Sequence, residues 1–299
     1  MIIVKRMYFS TALYARSVLI KIYIAMCNCL FHFDFFHVKR PPPINLLKTN
    51  ISLDSLLTKL SGKDCTALDN APAVIVNVPV SDIYTFTVSK IPLLDSSNPF
   101  VGAACALVDK DRNRAERILE NYYNIDPPAT AAQVLGINSE SLRNIDSYCT
   151  EFPWEDASSD SARQRRKLMS VLERIQHGLP PDDILETSSF GPCSASKIKL
   201  EVDRIDKLIK SITDKGYQCD NLLNHCWGYA LLDDSRTKVI IKGGQHRCVV
   251  LAALGFDKIP VLMHLNKTIR RAEIGKWPAV IAGQMSEREA LKYFNSFFF

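Results

Sequence analysis

Lys238-Val239-Ile240-Ile241-Lys242-Gly243-Gly244-Gln245-His246-Arg247 is the stretch that decides the fold and the site of this chain. Lys238–Lys242 is rich in β-branched residues and predicts a strand, and Arg247–Leu254 predicts a helix that Gly255 stops. Between them, two glycines let the backbone approach a ligand with no Cβ in the way. The helix that follows directs N–H groups and a partial positive charge toward that ligand, which suits a phosphate. Arg247 adds a fixed charge with a bidentate fork. His246 supplies a hydrogen-bond donor or a proton carrier, and Gln245 an amide for phosphate, sugar or base. A plainer reading also fits Gly243–Arg247: a glycine turn whose Arg and His cap and pair locally. The spacing is neither that of the G-x-x-x-x-G-K-[ST] loop nor that of the G-x-G-x-x-G fingerprint.

Working outward, Lys197–Lys215 places Ile198, Val202, Ile205, Leu208, Ile209 and Ile212 at helical spacing, with Gly216 as a stop. Trp227–Leu232 predicts a strand, Asp233-Asp234-Ser235 a turn, and Lys238–Lys242 its hairpin partner. Ile259–Leu265 predicts a last strand. Helix, hairpin, loop, helix and strand make a compact α/β unit over residues 186–266.

Leu208-Ile209-x-Ser211-Ile212-x-x-x-Gly216, Leu231-x-Asp233, Ile241-x-Gly243-Gly244-Gln245-His246-Arg247, Leu251-x-x-Leu254-Gly255 and Ile259-Pro260-Val261 together resemble the ParB/sulfiredoxin superfamily. The resemblance implies a nucleotide at the glycine loop. Sulfiredoxins carry Gly-Gly-Cys-His-Arg there and use the cysteine as nucleophile; this chain has Gln245, with Cys248 beyond the arginine, so that chemistry is not expected. Partition ParB proteins follow the module with a helix-turn-helix domain, and only 33 residues follow Asn266, so partition is not expected either. A third branch holds small-molecule kinases. Phe190-Gly191-Pro192-x-Ser194-x-x-Lys197, Trp277-Pro278 with Gly283, and Ala290-x-x-x-Phe294 resemble, more loosely, uncharacterised ParB-like proteins that accompany bacterial surface-polysaccharide genes.

On this resemblance Gly243, Gly244, Gln245, His246 and Arg247 are the expected phosphate contacts, joined by Ser194 and Lys197. His246 and Glu201 are the expected catalytic residues, with Glu201 as the base on the helix that packs beside the loop in this fold. ATP or CTP with Mg²⁺ is the expected cofactor. The implied function is phosphotransfer or nucleotide hydrolysis on a small molecule or sugar in surface-polysaccharide metabolism. Alternatives are a non-catalytic nucleotide sensor and, with less support, a DNA-binding protein. Each residue also has a bland reading: Glu201 and the basic run Arg163, Arg165, Arg166 and Lys167 as solvated helix faces, Ser194 as a helix cap, and Asp233 and Asp234 as turn formers. Trp227 and Trp277 would pack in the core rather than stack on a base. His225 and His264 have no second ligand at metal spacing, and no metal site is expected.

The fold class expected is α/β (α+β): the ParB/sulfiredoxin-like module preceded by a mixed, mainly helical N-terminal region. Residues 1–40 form an apolar segment, 41–185 a mixed region opened by Arg40-Pro41-Pro42-Pro43, and 267–299 a helical tail with a Ser286-x-x-Glu289 capping box. Within 41–185, Ala73–Val80 and Ile83–Val88 predict strands; Asp111–Tyr123, Thr130–Leu135 and Arg163–Gly178 predict helices. Asn98-Pro99 predicts a turn and Phe152–Ala162 a surface connection. Nine irregularly spaced cysteines with no C-x-x-C pair point to a reducing, cytoplasmic setting. Residues 18–38 are apolar but interrupted by Lys21, His32, Asp34 and His37, which fits a buried or interfacial segment better than a span, with membrane-surface contact as the alternative. A net charge of +5 suits phosphate-bearing partners without the basic stripe of a nucleic-acid binder.

Overall fold

Val239, Ile240 and Ile241 are consecutive, and none of them reaches solvent. A strand buried on both faces needs a layer of structure on each side, and both layers are present in the computed structural model. It describes residues 51–52, 73–85, 91–94, 97–155, 159–179, 186–187, 189–218, 225–233, 236–264 and 267–298. The strands are β1 (Ile51–Ser52), β2 (Ala73–Pro79), β3 (Ile83–Thr85), β4 (Ile91–Pro92), β5 (Cys226–Asp233), β6 (Arg236–Gly243), β7 (Lys258–His264) and β8 (Ile269–Arg270). They form one mixed sheet in the order β1-β2-β7-β5-β6-β3-β4, with β8 beside β5. The hairpin β5–β6 is antiparallel, with Tyr229 opposite Ile240. β7 runs parallel to β5, with Trp227 beside Leu262.

The helices are α1 (Pro99–Val108), α2 (Arg112–Asn124), α3 (Ala131–Leu135), α4 (Glu140–Arg143), α5 (Ser159–His177), α6 (Ala195–Lys215), α7 (Gln245–Ala253), α8 (Pro278–Ile281) and α9 (Glu287–Asn295). Helices α1, α2, α6 and α7 bury Phe100, Leu119, Val202 and Val250 against Val76, Val239, Ile241 and Val261. The other face, with Tyr229, Leu231 and Ile240, is covered by α3, by Phe152 and Trp154, and by the C-terminal Trp277, Tyr293, Phe294 and Phe297. The period-2 alternation of β6 thus sorts its apolar residues between two cores.

The division expected at 185/186 does not separate two folding units. Residues 46–299 form one unit, because β2 pairs with β7, and β3 with β6, across that boundary. Asn98-Pro99 is a helix start rather than a plain turn. The Asn98 side chain accepts from the N–H groups of Phe100 and Val101, and Pro99 occupies the first helical position, where no intrahelical N–H is needed. Phe152–Ala162 is not a surface connection at its apolar residues, since Phe152, Trp154 and Ala162 are buried. The basic run is a solvated face only in part: Arg163 and Lys167 are exposed, whereas Arg165 and Arg166 both pair with Glu151, and Arg166 also donates to the carbonyls of Tyr148 and Thr150. Arg163 pairs with Asp146 at 3.1 Å. These bonds fasten α5 to residues 146–151.

Among the described residues, no helix is long and apolar enough to cross a membrane. The apolar stretch 18–38 and the break at 40–43 lie outside them. The capping box at Ser286 and Glu289 forms as expected. The terminal aromatics fold back onto the sheet: the Tyr84 hydroxyl donates to the Phe297 carbonyl at 2.8 Å, and the two rings meet edge-on at 5.0 Å. Removing a fully buried ring leaves a cavity, so Phe297→Ala should cost about 3 to 5 kcal/mol in urea unfolding. Ile281→Ala, at a side chain 72% exposed, should stay within about 0.5 kcal/mol.

Candidate functional site

β6 ends at Gly243 and α7 begins at Gln245, so the pair of glycines is the whole connection. The two have different physical reasons. Gly244 is the N-cap of α7 and adopts the left-handed conformation at φ 73°, which a side chain would strain. Gly243 lies under Trp227, and a Cβ there would collide with the indole Nε1 and Cδ1. Its small size therefore makes room for a neighbouring strand's side chain. Trp227 occupies the loop itself, while Trp277 is buried among Trp154 and Phe294. Beneath the loop, the Cys226 thiol donates to the Gly244 carbonyl at 3.5 Å, and the Tyr217 hydroxyl bonds that sulfur at 3.6 Å.

His246 stands in the first turn of α7, and its Nε2 is 2.5 Å from Oε2 of Glu201 on α6. Glu201 has no exposed surface. A buried carboxylate is costly without cationic neighbours, and two are present, Lys197 at 2.5 Å and Arg204 at 3.0 Å, beside the hydrogen bond to His246. Burial alone would push its carboxyl up, but the charge and hydrogen bond of His246, with Lys197 and Arg204, outweigh it and hold Glu201 well below the ordinary carboxylate range. Glu173 of α5 completes the group by pairing with Lys197 and with Arg204 at 2.6 Å. Arg204 also lies 2.9 Å from Nε2 of His177. Three helices are thus joined through one charged cluster.

This geometry redistributes the expected roles. Glu201 and His246 are brought together. Glu201, however, has no surface to offer a substrate; it remains anionic and orients the imidazole through Nε2. Lys197, expected as a phosphate contact, has its buried ammonium bridging Glu173 and Glu201. Ser194 caps α6, accepting from the N–H of Lys197 at 3.3 Å, two helical turns before Glu201. Gly243, Gly244, Gln245, His246 and Arg247 are contiguous at the start of α7. Asp233 is more than a turn former: it is buried and paired with Arg236 and Arg271. Glu173, Arg204 and His177 were not expected at the site. The i, i+4, i+7 spacing of Lys197, Glu201 and Arg204 on the helix carries that signal, since it puts three charges on one stripe.

On the opposite face of the sheet, Lys242, the residue before the glycines, pairs with Glu155 at 2.6 Å and lies 4.9 Å from the Phe152 ring centre. Residues on both faces of β6's end are therefore held by carboxylates.

Glu201→Gln leaves Lys197, Arg204 and His246 facing a neutral amide. A loss of about 3 to 5 kcal/mol is expected at pH 7, read by urea unfolding. Since the folded protein holds Glu201 below its ordinary 4.5, its stabilisation is complete above that value and is lost as pH falls through the depressed one. Unfolding curves taken at successive pH values below about 4.5 should therefore fall more steeply for the wild type than for E201Q.

Comparison of the chain with protein-family models, with curated proteins and with solved structures finds no match.

Proposed function

We propose that this chain is a nucleotide-binding protein of the ParB/sulfiredoxin type, which holds nucleotide phosphates at Gly243–Arg247 and transfers or hydrolyses a phosphoryl group. The observation that carries this reading is the His246–Glu201 pair at the opening of α7: a histidine in the first helical turn, oriented by a buried anion, directly after a glycine connection. The N-terminus of α7 supplies a positive field for phosphate oxygens, and Arg247 in the same turn supplies the bidentate fork. His246, fixed through Nε2, is the group placed to donate to a phosphate or to move a proton. Glu201 positions it. Magnesium enters this reading as the ion an ATP or CTP carries on its own phosphates, because the carboxylate bonded to the loop is already engaged by Lys197, Arg204 and the His246 imidazole. The acceptor, on the resemblance, is a small molecule or sugar of bacterial surface-polysaccharide metabolism, handled in the cytoplasm.

The engagement of Glu201 also favours a second reading, in which nucleotide is bound and sensed without turnover. A DNA-binding reading keeps only Arg163 and Lys167 of its basic run on the surface, since Arg165 and Arg166 are occupied within the chain.

Thermal unfolding with ATP, ADP, CTP and GTP, each with Mg²⁺, tests the binding. A ligand at a hundred times its Kd should raise the melting temperature of the wild type by about 5 °C or more and leave Arg247→Ala unmoved. If phosphate is released, His246→Gln should keep the shift and lower turnover by about 10²- to 10⁴-fold. A shift without product after long incubation selects the sensor. No shift with any nucleotide overturns both readings.

A further inference from the structure

His177 ends α5, and its side chain meets that of Arg204 on α6 nitrogen to nitrogen, with Nη2 of the arginine 2.9 Å from Nε2 of the histidine. A guanidinium carries donors only, so the imidazole accepts through Nε2 and keeps its proton on Nδ1. A doubly protonated ring has no lone pair to offer and would set a second cation against the first. The contact therefore exists only while His177 is neutral. Arg204 is aimed at the ring from its other nitrogen: Nη1 is held by Glu173 at 2.6 Å and by Glu201 at 3.0 Å. His177 is exposed, so protons reach it directly, whereas Glu201 has no surface. One guanidinium thus runs from solvent to the buried carboxylate that orients His246.

We propose that His177 is a proton-operated latch on the Glu201 cluster: neutral, it holds Arg204 in place; protonated, it releases Arg204 and with it one of the bonds that fix Glu201 and, through Glu201, His246. The groups facing His177 pull in both directions. Glu173 on its own helix, Glu201 on α6 and the last-turn carbonyls of α5 favour a cation there. Arg174, one turn earlier, is engaged by Glu186 at 2.6 Å. Partial burial, then Arg204 and Lys197, oppose the cation and prevail, holding the imidazole below its ordinary 6.5. A histidine depressed on folding contributes its stabilisation above 6.5 and loses it as pH falls through the lower folded value, so the latch is closed near neutrality and opens in acid. The latch deepens the reading of His246 as the working residue of the phosphate loop, and rests on that reading only for its consequence, a site set above this transition and loosened below it.

Side-chain NMR of the full chain without nucleotide, titrated from about pH 7.5 to 5, reads the three groups together. The His177 ring should titrate with a midpoint below 6.5, and the Arg204 Nε signal and the His246 ring should each show a step at that midpoint. In His177→Gln the amide oxygen still accepts from Arg204 but takes up no proton, so both steps should vanish. In Arg204→Gln the His177 midpoint should rise. Should Arg204→Gln fail to fold, the comparison with His177→Gln, a change at an exposed position, decides alone. The proposal is overturned if His177 titrates at or above 6.5, if its midpoint is unmoved in Arg204→Gln, or if the steps persist in His177→Gln. A step at Arg204 with none at His246 also overturns it, because the latch would then stop short of the loop. These outcomes need no nucleotide, so the latch and the nucleotide reading can fail separately.

Discussion

Burial of β6 on both faces is the constraint from which the architecture follows. Val239 and Ile241 point into one core and Ile240 into the other, so neither layer can be omitted without exposing part of the central strand. One layer is helical: α1, α2, α6 and α7. The second is built from aromatic side chains supplied by distant parts of the chain, with Phe152 stacked on Trp154 at 4.9 Å and Trp154 meeting Trp277 edge-on at 5.2 Å. Backbone pairing imposes a similar demand. β5 and β6 satisfy only one edge each by pairing together, and β7 and β3 take up the others. Strands β2, β3 and β4 are therefore part of the same sheet as the hairpin.

The charged cluster around Glu201 is the other organising feature, and it sits where the glycine connection meets the helical layer. A carboxylate with no exposure must be matched by cations with little loss of geometry, and here the cations come from α6 itself and a histidine hydrogen bond from α7, with Glu173 of α5 bridging behind them. Such a network resists displacement of any one helix, because moving one leaves buried charge unpaired. His246 inherits that rigidity. On the other face Lys242 is held by Glu155, so the residues either side of Gly243-Gly244 are anchored into different layers. A loop fixed in this way would pay a lower ordering cost in binding the proposed nucleotide.

The extent to which the sequence foretold this varies by element. The hairpin, the glycine connection, α6, α7 and the capping box of α9 were all legible, because local signals of period, stop residue and cap specify them. Helix α1 was not, although its cap was visible in Asn98-Pro99. Its sequence, PFVGAACALV, is apolar nearly throughout and so shows no polar face from which a period could be read. The glycine pair was read as an opening for a ligand, and at Gly244 the left-handed backbone agrees with such a connection. At Gly243 the cause is Trp227, which lies across the neighbouring strand and sixteen residues earlier in the chain.

Local order was determined by the sequence alone for the hairpin β5–β6, for β2 and β7, for α2, α3, α5, α6 and α7, and for the join of a strand to a helix at Gly243–Arg247. Only the tertiary structure decided that Glu201 meets His246, that Lys197 bridges Glu173 and Glu201, that Arg165 and Arg166 turn inward to Glu151, and that residues on both sides of position 185 share one sheet. The physical reason is that periodicity identifies which face of an element is apolar and where a charge sits on it. It carries no information about which other face will be packed against it, and the partner of a buried charge is set by that packing.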